Sequence, residues 1–310
     1  MSPSPARDTL IALSDARRVR VRIYGTGPDT IWLIPSAPYP VRVLVDGLGA
    51  ALVSGTTLVA MDARGRGDSE SEPDNRRLRL QRDADDIEDV RQALRIGRFA
   101  MLTHGFGAAT AAYYASQHPG HLTRIALLTP GPWDRPRIAD LARVGTPAPL
   151  VERFYRDGRA GLANRDPAAY CTAHWGWYSS PIVVADTSSI EGLASSVCWL
   201  PPERQRAMEE MQASLLQSLD TVDVRRLLAT ATLPSLVLVP AAGGPFLVLG
   251  KEWHEALPQS RIETVPGYAV FPWVGTEDST FRLLRAFLVT SESRDRSNRS
   301  AASADSSRPH

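Results

Sequence analysis

Short apolar runs of strand length alternate with stretches of helical period along most of this chain, and that rhythm constrains its fold more than any other feature. The runs are Thr30 to Ile34, Thr57 to Met61, Phe99 to Thr103, Ile125 to Leu128, Leu236 to Val239 and Ile262 to Val265. Between them, Leu80 to Ile96 sets Ala84, Ile87, Val90 and Leu94 at helical spacing, and Ala108 to Gln117 reads as a helix of small residues. Gly250 to Leu257 and Thr276 to Leu288 give two more helices. Nearly continuous apolar strands are buried on both faces, so helices must cover both sides of a mostly parallel twisted sheet. The expected class is α/β. Ala16 to Tyr24 alternates Arg with Val and Ile and reads as an edge hairpin strand with one solvated face. Asp83, Asp85 and Asp86 fall in the early turns of their helix, where its dipole favours them.

The rhythm fails once, between residues 132 and 232. Helical stretches there (Pro202 to Leu219, Val222 to Ala229) accompany a cluster of aromatics, and an insertion between sheet strands reads as a helical cap. The expected organisation is an N-terminal extension (1–15), a core (16–131 and 233–289), the cap (132–232) and a disordered tail (290–310) rich in Ser, Arg and Asp. The length of 310 residues suits one large domain with an insertion. A net charge of +1, with Lys251 the single lysine, gives no clustered basic face and argues against a nucleic-acid partner. Cys171 and Cys198 are too few for a disulfide framework; they are either a pair or two thiols of a reducing compartment. No apolar run approaches the roughly 18 residues of a membrane span, and Met1 to Arg20 lacks the order of a signal peptide. The expectation is a soluble, cytoplasmic protein with no membrane partner.

Three motifs sit on this frame: Asp62-x-Arg64-Gly65-x-Gly67-x-Ser69, Thr103-His104-Gly105-Phe106-Gly107, and Gln117-His118-Pro119. In this order, over residues 16 to 289, they resemble the capped, proline-iminopeptidase-like branch of the α/β-hydrolases. That family places a serine nucleophile in G-x-S-x-G, on a strained strand-to-helix turn. Here the resemblance puts Gly105 at the nucleophile. The acid should follow Leu236 to Val239, where Gly243 or Gly244 stands, depending on the gap. The general base should precede the last helix, where Val270 stands. Asp134, where some relatives carry their acid, has no histidine to orient and reads as a surface loop residue. His104 reads as structural, its side chain directed away from the pocket. His118, His121, His254 and His310 fall elsewhere, and His174, in the cap, alone has a route to the pocket. Pro35-Ser36-Ala37-Pro38 replaces the family's His-Gly; its prolines remove donors, leaving the Phe106 N–H as one arm of an oxyanion hole.

These replacements imply no catalytic side chain, no cofactor and no metal, but an apolar, enlarged binding site. Its expected lining is Pro35, Ser36, Ala37, Pro38, Tyr39, Gly105, Phe106 and Val270, with Phe154, Trp175, Trp177 and Tyr178 from the cap unless those aromatics form the cap's own core. Three functions fit: an isomerase or epimerase whose substrate supplies the chemistry, a cyclase for a pericyclic step, and a non-catalytic binder. The partner is a modified peptide or another bulky small molecule. The absent triad and aromatic cap resemble the atypical α/β-hydrolases of bottromycin biosynthesis, which epimerise an aspartate beside a thiazoline. That resemblance implies that the substrate's own carboxylate acts as the base.

Overall fold

The computed structural model describes residues 2–37, 39–138, 214–241, 243–266, 271–274 and 277–289, with Arg156, Gly161, Arg165, Asp166 and Ala169. Pro38, Phe154, Cys171, His174, Trp175, Trp177, Tyr178, Cys198, Val270, the tail and most of the cap segment lie outside the described residues.

Eight strands form one sheet: β1 (Arg7–Ala12), β2 (Arg18–Tyr24), β3 (Asp29–Ile34), β4 (Thr56–Met61), β5 (Phe99–His104), β6 (Leu122–Leu128), β7 (Ser235–Pro240) and β8 (Ser260–Val265). Their order is β1-β2-β4-β3-β5-β6-β7-β8. β1 and β2 pair antiparallel, as do β2 and β4, and every other pairing is parallel. Two expectations change here. Residues 7–12, counted in an N-terminal extension, are one of the sheet's two edge strands, and β2 is interior, paired on both sides. The Arg side chains of β2 mislead because they are not simply solvated: Arg20 pairs with Asp8 across the strands, and Arg22 reaches Asp8, Asp62 and Asp68.

Side chains alternate between two cores, as strand geometry requires. Phe99 and Met101 of β5 join Trp32 and Val59 beneath α3 (Leu80–Ala93) and α4 (Gly107–Gln117). Ala100 and Leu102 join Leu33 and Leu58 on the opposite face, with Leu284 and Leu288 of the last helix, α7 (Glu277–Leu288). That face is also covered by a segment with no periodicity signal in the sequence: α1 (Arg42–Leu44), a π-helical turn (Val45–Gly49) and α2 (Ala50–Leu52). Two glycines and two valines weaken its helical propensity; burial of Val43, Leu44, Leu48 and Leu52 stabilises it instead. On the first face, α5 (Val224–Ala229), from the end of the expected cap, packs Val224 and Leu228 into the main core beside α6 (Pro245–Ala256). Among the described residues no helix is long and apolar enough to cross a membrane.

Buried charge ties α3 to its surroundings. Glu88 accepts hydrogen bonds from Arg91, Gln92 and Tyr114, and lies 3.2 Å from His121 Nδ1. Glu88, His118 and His121 have the donor atoms of a metal trio, but the Glu88 oxygens already serve this network. Burial opposes ionisation of Glu88; the bonds from Arg91, Gln92 and Tyr114 outweigh it and hold the carboxyl well below the usual range. Such a carboxyl stabilises the fold above its unfolded-state pKa of about 4.5, and the contribution fades as pH falls toward the folded-state value. Glu88→Gln is therefore expected to lower the urea midpoint at pH 7, with a gap to the parent protein that narrows below about pH 4.5. A gap independent of pH would contradict this role.

Candidate functional site

The strand order reverses direction of growth around β3, whose neighbours are β4 and β5. Ligands of open α/β sheets bind at such a switch point, outside the carboxyl ends of the strands. Two segments meet there: Pro35 to Ala37, leaving β3, and Gly105 to Phe106, between β5 and α4.

Gly105 makes the sharp turn with φ +53°, in the left-handed region. Its backbone is fixed from three directions. Its N–H donates to Leu128 O at 3.1 Å, and its carbonyl accepts from Gly131 N at 2.9 Å and Ala108 N at 3.2 Å. Gly131 is held in turn by Trp253 of α6, fully buried, whose Nε1 donates to Gly131 O at 2.8 Å. The sharp strand-to-helix turn is thus built and braced around a residue that has no side chain.

Ser36 occupies the space that a side chain at 105 would need. A Cβ on Gly105 would come 2.5 Å from Ser36 Oγ and 2.8 Å from Ser36 Cβ. The same Oγ accepts the Phe106 N–H at 3.2 Å. The amide read in the sequence as a surviving oxyanion donor therefore already has an acceptor. Ser36 is 6% exposed. The spot beside Gly105 is not empty: a hydroxyl stands in it, carried by the neighbouring strand end. Sequence reading counted Ser36 among the lining residues without seeing this pairing, because the two residues are 70 apart in the chain and meet only through the β3–β5 register.

The loop carrying Ser36 is pinned below. Tyr39 N donates to Ser36 O at 2.8 Å, and Val41 N donates to Asp62 Oδ1 at 2.9 Å. Asp62 opens the Asp62-to-Ser69 turn, and the Gly67 position lies so close to its carboxylate that any Cβ there would overlap it. Burial pushes the Asp62 carboxyl up against the N–H bonds from Asp68 and Val41 that favour its charge. Arg64 of the same turn reaches Asp86 through two bonds, of 2.7 and 2.6 Å, and also contacts Glu72 at 3.2 Å and Asp15 at 3.0 Å. Arg66 pairs with buried Asp83. The acids assigned to the helix dipole are therefore, for Asp83 and Asp86, buried partners of this turn; Asp85 lies at the surface, 3.8 Å from Arg82. A cavity of about 20 Å³ beside Pro35, Ala37, Tyr39, Arg66, Asp83 and Gly107 has room for about one water.

His104 is buried among Phe271 and Trp273, with ring centroids 5.0 and 4.9 Å away, on the face of the sheet carrying α7. Asp134 is held by Arg137 at 2.6 Å, and Arg137 also binds Glu252 of α6. Gly243 and Gly244 follow β7 with φ +91° and +78°, and a Cβ on either would meet no atom within 4 Å.

A family model for the alpha/beta hydrolase fold matches residues 36–253. The chain belongs to that family. Solved structures agree in fold: an esterase from Rhodococcus sp. ECU1013 (TM-score 0.70, 18% identity, 91% of this chain and 98% of that one) and the proline iminopeptidase of Mycobacterium smegmatis (TM-score 0.68, 18% identity, 91% and 97%). A curated relative, described as a probable 1-acylglycerol-3-phosphate O-acyltransferase of Oryza sativa subsp. japonica, is 35% identical over 105 residues. That match covers 29% of this chain and 25% of the relative, so the chain spans about a quarter of the relative's length.

Proposed function

We propose that this member of the α/β-hydrolase family is a non-hydrolytic enzyme, and that it epimerises an aspartate beside a thiazoline in a modified peptide of the bottromycin type. The observation that carries the non-hydrolytic reading is Gly105 at a fully formed elbow, with the Ser36 side chain packed into the nucleophile's place. Loss of one triad member already costs orders of magnitude in rate, and here Gly105, Gly243 or Gly244, and Val270 stand at all three positions. Acid–base chemistry then comes from the substrate. The thiazoline acidifies the adjacent Cα–H; the aspartate carboxylate takes that proton, the electron pair delocalises into the ring C=N, and a proton returns to the opposite face. The protein's part is to fold the peptide so that carboxylate and Cα meet, and to raise the carboxylate's basicity by desolvation. Pro35 to Tyr39, Gly105, Phe106 and Val270, with Phe154, Trp175, Trp177 and Tyr178, are the proposed binding surface.

Incubating the protein with a thiazoline-containing aspartyl peptide in heavy water is expected to place deuterium at that one Cα, with both epimers formed. Tight binding without exchange would point instead to a non-catalytic binder. A new carbon–carbon bond without exchange would point to a pericyclic cyclase.

A further inference from the structure

The Ser36 hydroxyl stands at the switch point with no acceptor for its proton among the described residues. Its Oγ accepts the Phe106 N–H at 3.2 Å, which uses a lone pair and leaves the O–H as a donor. An amide donating to that oxygen also strengthens the O–H as a donor in turn. No histidine or carboxylate among the described residues bonds to it, so none of them is a base that would make it a nucleophile. The nearby cation, Arg66, which lines the cavity beside Pro35 and Ala37, is committed to Asp83.

We propose that Ser36 is the residue that holds a substrate carboxylate over the elbow, donating its hydroxyl hydrogen bond from the space that Gly105 leaves open. This role rests on the substrate-carboxylate reading above. A single neutral donor suits that reading chemically. An arginine, or a pair of amides, would grip a carboxylate more firmly but would favour its charged form and weaken it as a base. One hydroxyl, in a buried setting, orients the group and leaves its basicity high. Gly105 and Ser36 then form one device: the glycine makes room, and the serine uses it.

The test uses two thiazoline peptides, one with aspartate beside the ring and one with alanine in its place, titrated calorimetrically against the full chain and against Ser36→Ala. The parent protein is expected to prefer the aspartyl peptide. Ser36→Ala is expected to bind it about tenfold more weakly, or worse, with the alanyl peptide unchanged. Ser36→Cys, close in size but a weak donor, provides the same comparison should Ser36→Ala lose its fold. Equal affinities for both peptides in the parent protein, no binding of either, or no selective loss in the variants would overturn the proposal. Heavy-water exchange separates it from the epimerase reading. Selective loss in Ser36→Ala without Cα exchange in the parent leaves the contact standing and removes the epimerase. Exchange in the parent with unchanged aspartyl affinity in Ser36→Ala does the reverse.

Discussion

Gly105→Ser, which places a serine where the family resemblance expects one, is expected to destabilise the fold by about 2–5 kcal/mol and to yield no efficient esterase. Two costs add. A side chain at φ +53° carries a left-handed backbone penalty of about 1–2 kcal/mol. Its Cβ would also come 2.5 Å from Ser36 Oγ and 2.8 Å from Ser36 Cβ, an overpacking cost of about 1–3 kcal/mol. The second cost depends on Ser36, so Ser36→Gly should relieve it. In a double-mutant cycle by urea denaturation, Gly105→Ser with Ser36→Gly should be less destabilised than the sum of the single changes, by roughly 1–3 kcal/mol. Additive effects would show that the two side chains do not compete for one space. Esterase activity is expected to fail for a separate reason: the family resemblance puts Gly243 or Gly244 and Val270 at the acid and base positions, and none of these is an acid or base.

Arg64→Ala is expected to be the most damaging single change outside the hydrophobic core, with a loss of about 3–5 kcal/mol. The side chains of Arg64, Asp86 and Glu72 are all 2% exposed or less. Removing the guanidinium leaves buried Asp86 without its ion-pair partner and Glu72 with only Arg17 at 3.9 Å, and that desolvation exceeds what the pair gained in forming. Arg64→Lys should rescue little, because an ammonium cannot make the two parallel bonds to Asp86. Equilibrium urea unfolding of both variants tests this; a loss under about 1 kcal/mol for Arg64→Ala would mean that the cluster relaxes or hydrates freely. The consequence reaches the site. The Asp62-to-Ser69 turn holds Val41 and so the loop that presents Ser36, and a loosened turn should weaken ligand binding as well as stability.

Much of this arrangement was legible in the sequence, for reasons of periodicity. Strands buried on both faces announce themselves as unbroken apolar runs, and β3 to β8 fall within a few residues of where those runs lie. The elbow was legible because Gly105 lies in a motif with a fixed place between strand and helix. β1 was missed because Arg7-Asp8-Thr9 is polar and its pairing with β2 is decided by cross-strand charge, which has no local signature. The helical segment from Arg42 to Leu52 was missed because tertiary burial overrides its glycines and valines. Ser36 was named as a lining residue, but its exchange of place with the elbow side chain is a relation between distant residues that no local pattern carries.

Among the described residues the proposed site offers the Ser36 hydroxyl as a donor and no activated nucleophile. The most direct measurement is intact-mass analysis after prolonged exposure to a fluorophosphonate, which forms a covalent bond with activated serines. The expected result is a protein of unchanged mass. A stoichiometric phosphonyl adduct that peptide mapping places on Ser36 would contradict this role, because it would show that Ser36 has a base and attacks.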